Sequence, residues 1–363
     1  MLEVSLHAVS FAYGSGFAIR AVDLLCLPST CTAITGPAGS GASTLLRLIS
    51  GELRPDSGEI RLGARRVNEL RRARRPLLFV TDTPDIPARW SVRHALVAAV
   101  RERSLDRTDR QHEYELALTK WRLEPLAGAR LGRLSRSERT LVHLAAIELR
   151  RPAILVADRL LAGINPALLR WVAGQFFRTL RVMGTTVIST PAFTAELGWA
   201  DRLAVLDRGT LLQAGRPAQV FTTPLDEAAA VSTGDINIIP IAIRGTTVES
   251  LIGSWEQADP PFQGGGVALV RPDAFTLAAA GEESDLIFGV EEAMFDEGRW
   301  LATGILSGGF LLRVILPRSV TVEKGKLLAL RYDGTRFALI PREIELPGRS
   351  APFDVVPPLR ETR

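Results

Sequence analysis

The residues best placed to do chemistry are nine in a row: Gly36, Pro37, Ala38, Gly39, Ser40, Gly41, Ala42, Ser43 and Thr44. They follow an apolar run ending at Thr35 and precede the helix-forming stretch Leu45 to Ser50. A glycine-rich turn between a strand and a helix aims several backbone N–H groups and a positive helix end at one point, which suits a di- or triphosphate. The spacing meets the phosphate-loop pattern G-x-x-x-x-G-K-S/T at Gly36, Gly41 and Ser43, yet the lysine position holds Ala42. Only three of the 44 basic residues are lysine, so drift within this composition would place arginine there. Alanine is a different outcome. Tyr13, upstream of the loop, offers a ring on which a base can stack, although packing is the commoner role of an aromatic at a strand end. Further along, Ser135 with Glu138 three residues on reads as a capping box that opens a helix to Arg150. The apolar strand Ala153 to Asp158 ends in a carboxylate.

The elements that must position these groups follow from the apolar pattern. Residues 2 to 35 read as antiparallel strands that deliver the chain to the phosphate loop. A short buried strand at Pro76 to Val80 precedes helices from about Ser91 to Arg103 and Thr108 to Arg122. Beyond Asp158 come a helix from Pro166 to Met183, a strand from Thr185 to Ser189, a short helix to Trp199 and a hairpin from Arg202 to Ala214. This alternation predicts a parallel α/β core. Asp226 to Gly234 reads as an Ala-rich connection, and Ile236 to Ile344 has short apolar segments parted by Gly and Pro turns. That second pattern predicts a small all-β barrel or sandwich. The expected division is therefore 1–235, 236–346 and a loose Pro/Arg-rich tail at 347–363.

Composition bounds the function. At 46% hydrophobic and 23% charged, 363 residues suffice for two domains with full-sized cores. The net charge of +4 is mild, and no basic run is interleaved with aromatics, so nucleic acid is not an expected partner. Cys26 and Cys31 share one apolar stretch, and His7, His94, His112 and His143 are scattered without metal spacing; reduced core thiols and a structural His143 are expected. Arg65, Arg66, Arg71, Arg72, Arg74 and Arg75 read as a solvated loop face. With neither a signal peptide nor a long apolar span, the expected place is the cytoplasm, any membrane role being peripheral.

Taken in order, these features resemble the ATP-binding subunit of an ABC transporter, of the sugar and polyol importer type. Gly36 to Thr44 resembles that family's Walker A; Leu134-Ser-Arg-Ser-Glu138 resembles its LSGGQ signature; Ile154 to Asn165 resembles Walker B and the D-loop; and Val270-Arg-Pro-Asp273 resembles the I-R-P-E motif of the regulatory domain. The resemblance implies a P-loop ABC-type nucleotide-binding domain followed by a small all-β, OB-like regulatory domain. It implies ATP with Mg²⁺, the ion held by Ser43 and, through water, by Asp158. It implies a dimer in which Ser135 faces the nucleotide of the other subunit, transmembrane permease subunits docking near Thr81 to Trp90, and indirectly a substrate-binding protein. The implied location is the cytoplasmic side of the cell membrane.

The departures from that pattern decide the expected activity. Alongside Ala42, the base position after Asp158 holds Arg159, the switch-histidine position Thr190, the Q-loop position Thr81 and the D-loop aspartate position Asn165. The two signature glycines are Arg136 and Ser137. A guanidinium has no acceptor and stays protonated, so Arg159 does not take a proton from water. Losing one charge-assisted contact costs roughly 1.5 to 3 kcal/mol, or about tenfold to a hundredfold in affinity. Binding therefore survives in weakened form, while turnover, which depends on positioning and charge at the γ-phosphate, does not. The resulting expectation is a hydrolysis-deficient importer subunit paired with an intact ATPase, with Arg136 standing in electrostatically at the signature. An active homodimer with atypical motifs and a non-transport regulator on the same scaffold are the alternatives. Arg159 either supplies the charge that Ala42 lacks or pairs with a local carboxylate.

Overall fold

In the computed structural model, residues 2–342 are described except 15, 17, 84, 280, 281, 297 and 307–309; the tail expected at 347–363 lies outside them. The chain divides into two compact units, Met1–Phe221 and Thr222–Arg363.

In the first unit, β1 (Val4–Ala12) and β2 (Ala18–Cys26) lead to β3 (Cys31–Thr35) and α1 (Ala42–Ser50), followed by β4 (Ser57–Leu62), β5 (Arg65–Arg66) and β6 (Leu78–Thr81). Next come α2 (Val92–Arg101), α3 (Arg107–Trp121), α4 (Arg136–Arg150), β7 (Ile154–Asp158), α5 (Pro166–Val182) and β8 (Thr186–Thr190). The hairpin β9 (Arg202–Asp207) and β10 (Thr210–Gly215) precedes α6 (Pro217–Thr222). A four-stranded sheet runs β2-β1-β4-β5 and a six-stranded one β10-β9-β3-β8-β7-β6. In the second, β6, β7, β8, β3 and β9 pair in parallel and β10 closes the edge antiparallel. The expected α/β core is thus present, with one correction. β3 does not extend the antiparallel pair; five apolar-run residues buried on both faces suit the middle of a parallel sheet.

Strand alternation sorts β7 between two cores. Ile154 and Val156 face Leu46 and Ile49 of α1 together with the β1–β2 pair, while Leu155 and Ala157 face α4 and α5 through Ile147 and Phe176. Arg75 corrects the solvated-loop reading: it is buried and donates to the carbonyls of Leu48, Ile49 and Leu70, satisfying the C-terminal end of α1. Burial pulls its pKa down to about 10. Arg72 stays on the exposed face as expected, pairing there with Glu52 at 2.6 Å and lying over the Phe79 ring. Cys26 and Cys31 are free and buried, their thiols pushed up to about 12 by desolvation, and buried His143 is held down at about 4 for the same reason. No helix among the described residues is long and apolar enough to cross a membrane.

The second unit begins with α7 (Glu227–Thr233), a helix where composition suggested a plain connection; Asp226 caps it by accepting from the Ala228 N–H at 2.6 Å. β11 (Asn237–Arg244), β12 (Thr247–Ser250), β13 (Gly253–Glu256) and β14 (Gly264–Val270) follow, then β15 (Phe275–Leu277), β16 (Leu286–Gly289), β17 (Glu292–Asp296), β18 (Arg299–Leu306), β19 (Phe310–Pro317), β20 (Leu327–Tyr332) and β21 (Ala338–Pro341). All their pairings are antiparallel, in three sheets. Ile239, Ile241 and Ile243 alternate into one core. Arg271, of the Arg-Pro-Asp motif, is buried and fastens α7 to the end of β14. It donates to the carbonyls of Ala230, Gly234 and Asp235 and to the Thr233 hydroxyl. This is why the second unit starts before the composition change at 235/236.

Candidate functional site

The phosphate loop leaves its helix start open. α1 follows Gly41, which has φ 101°, and no side chain caps its N-terminus and no acid stands in its first turn. Gly39 also adopts positive φ, at 81°. At Gly36 the need is space, since a Cβ would overlap the Leu206 carbonyl oxygen and crowd the Ser40 side chain. The loop is fixed from outside by the Gly209 N–H donating to the Ser40 carbonyl at 2.8 Å. A cavity of about 570 Å³ lies over it, lined by the whole loop with Tyr13, Arg159 and Thr190. Tyr13 is held edge-on against Phe11 at 4.8 Å, and its hydroxyl stands 3.4 Å from the Thr44 hydroxyl, so the ring is present at the rim as the base-stacking reading requires.

Strand register assembles the other wall. Thr81 on β6, Asp158 on β7 and Thr190 on β8 are direct neighbours at the ends of three parallel strands. The Ser43 hydroxyl donates to Asp158 Oδ1 at 3.1 Å, and the Thr190 hydroxyl donates to the same oxygen at 2.6 Å. A hydroxyl and a carboxylate brought within hydrogen-bond distance beside a phosphate loop form a hard-oxygen set that fits Mg²⁺, which needs few protein ligands when phosphates and water supply the rest. Among the described residues no group of three or more His, Cys, Asp or Glu gathers as a denser metal site. The Thr81 hydroxyl is instead turned into a local bend with Thr83, and Thr81 and Asp158 both line a second cavity with Arg47, Asp82 and Arg136.

Arg159 stands between the two cavities and lines both. Its backbone has φ 51°, a left-handed conformation held by its N–H donating to the carbonyl and hydroxyl of Thr190, each at 3.1 Å. The side chain is exposed, and among the described residues no carboxylate lies within ion-pair distance of it. The local-carboxylate alternative therefore fails as a direct pair. Its electrostatic neighbour is Glu196, a buried carboxyl that sequence reasoning missed. Oε1 of Glu196 accepts from the Ala192 and Phe193 N–H groups at 2.8 and 2.9 Å, fixing the turn after Thr190. Burial pushes this carboxyl up to about 7, against those hydrogen bonds and the Arg159 charge.

The signature segment opens α4 as the capping-box pattern predicts. Ser135 caps α4 through a complete capping box, its hydroxyl and N–H both bonded to Glu138, whose pKa is lowered by those contacts. Arg136, expected to stand in for lost signature contacts, pairs with Asp82 of its own chain at 3.2 Å. Ser137 ties the signature to the D-loop: its hydroxyl donates to the Gly163 carbonyl and accepts from the Asn165 N–H. Asn165 in turn caps α5, accepting from the Ala167 N–H at 3.0 Å. A serine in a glycine's place was the available signal for Ser137, but its partners lie 26 and 28 residues away.

Comparison with known proteins agrees with this geometry. Residues 19–161 match the ABC transporter family model. Over 320 residues the chain is 28% identical to the sn-glycerol-3-phosphate import ATP-binding protein of Roseobacter denitrificans, covering 85% of this chain and 87% of that one. It is likewise 28% identical over 281 residues to the Fe(3+) ions import ATP-binding protein of Streptomyces avermitilis, covering 77% and 81%. The fold matches the crystal structure of the ADP conformation of an ATP-binding cassette of an ABC transporter, with TM-score 0.54 and 21% identity over 65% of this chain and all of that one. Open loop, strand-end row and capped signature helix, with these similarities, give the first unit the fold of an ABC-type ATP-binding domain, the ABC transporter family model being matched over residues 19–161.

Proposed function

We propose that this chain is the ATP-binding subunit of an ABC importer for a small solute of the sugar or polyol class. It holds nucleotide without turning it over and works beside an intact ATPase subunit. The observation that carries the reading is the contrast within one cavity: a phosphate loop with open backbone donors faces Thr190, itself bonded to Asp158, with Arg159 where a base would stand. Backbone N–H groups supply most of a phosphate site, so nucleotide binding outlasts the lost lysine. Hydrolysis needs an acceptor for the proton of water, and neither arginine nor threonine serves at neutral pH. ATP with Mg²⁺ at Ser43 and Asp158 then acts as a closing element between two subunits, and closure is passed to permease subunits at the membrane. That work places the chain on the cytoplasmic face as a peripheral subunit, with a substrate-binding protein as an indirect partner. The relatives named for glycerol phosphate and iron import support an importer and leave the solute to the permease.

The test is affinity capture of the native complex through this chain, mass spectrometry of its subunits, and an ATPase assay after removing the partner's catalytic glutamate. A second ATPase subunit with permeases, and loss of hydrolysis in that variant, is the expected result. A homodimeric complex that hydrolyses ATP overturns it.

A further inference from the structure

We propose that Arg159 is the cation that binds the terminal phosphate of the nucleotide, taking over from the opposite wall the charge that Ala42 does not supply. The inference rests on the nucleotide-holding reading above and names the residue that sets its preference for triphosphate over diphosphate.

Four observations converge on Arg159. It is the one cationic side chain among the described residues that line the cavity over the phosphate loop. Its guanidinium is exposed and has no ion-pair partner among the described residues, whereas Arg136, which lines the adjoining cavity, is engaged by Asp82. Its backbone is held at φ 51° by two hydrogen bonds to Thr190, and Thr190 is itself bonded to Asp158. A left-handed conformation in a residue with a Cβ is costly and persists where surrounding bonds fix it, and here those bonds determine the side chain's starting direction. Finally, Arg159 follows the carboxylate that fits Mg²⁺ with Ser43. Ser43 and Asp158 would hold that ion, which would supply charge to the phosphates, and Arg159 is the next residue along the same strand end.

The chemistry suits retention. A lysine at position 42 would sit in the first turn of α1, among the N–H groups that already serve the inner phosphates. Arginine instead offers a planar fork of donors that binds phosphate oxygens in pairs, and its charge persists at every physiological pH. The same substitution thus removes the base for water and adds an anchor for the group that water would attack. Glu196, whose carboxyl feels the Arg159 charge, is engaged by two backbone N–H groups and forms no ion pair with Arg159, so it leaves the guanidinium available.

Isothermal titration calorimetry of the full chain with ATP and with ADP, both with Mg²⁺, tests this. Arg159→Ala is expected to weaken ATP binding by about tenfold to a hundredfold and ADP binding by less than about threefold. Arg159→Lys is expected to keep most of the ATP preference, and adding Ala42→Lys to Arg159→Ala to recover at least about fivefold in ATP affinity. The side chain is exposed, and thermal unfolding confirms that each variant folds. Equal ATP affinities for wild type and Arg159→Ala, or equal losses for ATP and ADP, overturn the role of Arg159 while leaving nucleotide binding in place. Absence of ATP binding by the wild type at millimolar concentration overturns the nucleotide-holding reading itself, and the inference with it.

Discussion

Two helices of the first unit begin where the ABC resemblance puts phosphate, and they begin in opposite ways. α1 opens behind Gly41 with no side-chain cap, so its first N–H groups are free for a ligand. α4 opens behind Ser135 with two of its donors, the Ser135 and Glu138 N–H groups, taken by the Ser135–Glu138 box, and a carboxylate stands in its first turn. A helix start binds an anion through unsatisfied N–H groups and the positive end of its dipole. One start keeps both; the other has two of its N–H groups engaged and a carboxylate set against its positive end. The chain is thus built to receive phosphate at its own loop and poorly built to offer a bare helix end to another subunit's nucleotide. In the proposed function, binding rests on this backbone geometry and outlasts the missing lysine, while turnover rests on the side chains that differ.

The largest effect expected from this contrast is chemical. Installing Ala42→Lys with Arg159→Glu returns a cation and an acceptor to the open loop, and ATP hydrolysis by the native complex carrying a catalytically dead partner is expected to rise by at least about a hundredfold. Neither single change is expected to do so. A double variant with no gain would move the defect to Thr190 and Thr81, the strand-end neighbours of Asp158 in the same site. Next in size is Gly36→Ala. Its Cβ meets the Leu206 carbonyl, so the loop must shift; a loss of roughly 3 kcal/mol in stability and more than about a hundredfold in ATP affinity is expected. Gly128→Ala, where a Cβ meets nothing within 4 Å, is the control and should do neither.

Glu196 gives the next effect, readable as a pH dependence. Its carboxyl is raised to about 7 in the fold from an ordinary value of 4.5, so the fold favours its neutral form. The stability it contributes is complete below pH 4.5 and is lost as pH rises through 7. Glu196→Gln keeps an acceptor for the Ala192 and Phe193 N–H groups and removes the charge. The variant is therefore expected to be more stable than wild type by roughly 2 kcal/mol at pH 8 and to lose that advantage near pH 4.5, as followed by thermal unfolding. Buried His143, held near 4, weakens the fold as pH falls below 6.5. It does so equally in both proteins, so the difference curve isolates Glu196. A flat difference curve would mean that the carboxyl is charged throughout this range.

How much of this was legible in the chain depended on the distance over which each contact is made. The phosphate loop, the capping box and Asp158 at a strand end are local, and spacing alone located them. The alternation that predicted a parallel sheet also sufficed, because β7 must serve two cores and reads as a continuous apolar run. Arg75 reads as solvated in the sequence because nothing nearby signals that its acceptors are the carbonyls of Leu48 and Ile49, 27 and 26 residues back. Arg136 has its partner at Asp82, 54 residues away, and Arg271 fastens a helix 37 to 41 residues earlier. An arginine's position in sequence tells little of its destination, since its long side chain and five donors find carbonyls or carboxylates wherever folding delivers them.

The smallest effect bears most directly on the opening contrast. Ser135→Ala removes the side-chain half of the box on α4, which is expected to cost about 1 kcal/mol of stability. It leaves ATP affinity of the isolated chain unchanged, because the loop at α1 does not use it. In the complex the two views of α4 separate. If the Ser135 hydroxyl is committed to Glu138, as its two contacts with that residue imply, its loss changes the partner's ATPase rate by less than about threefold. If the hydroxyl instead exchanges Glu138 for a phosphate when the subunits close, turnover falls tenfold or more while stability falls by the same 1 kcal/mol. Glu138→Gln sharpens the distinction, since it removes the carboxylate and keeps an acceptor for the Ser135 N–H. A committed cap then loses a few tenths of a kcal/mol with little kinetic change, whereas a cap that opens turns over faster once the negative charge beside the incoming phosphate is gone.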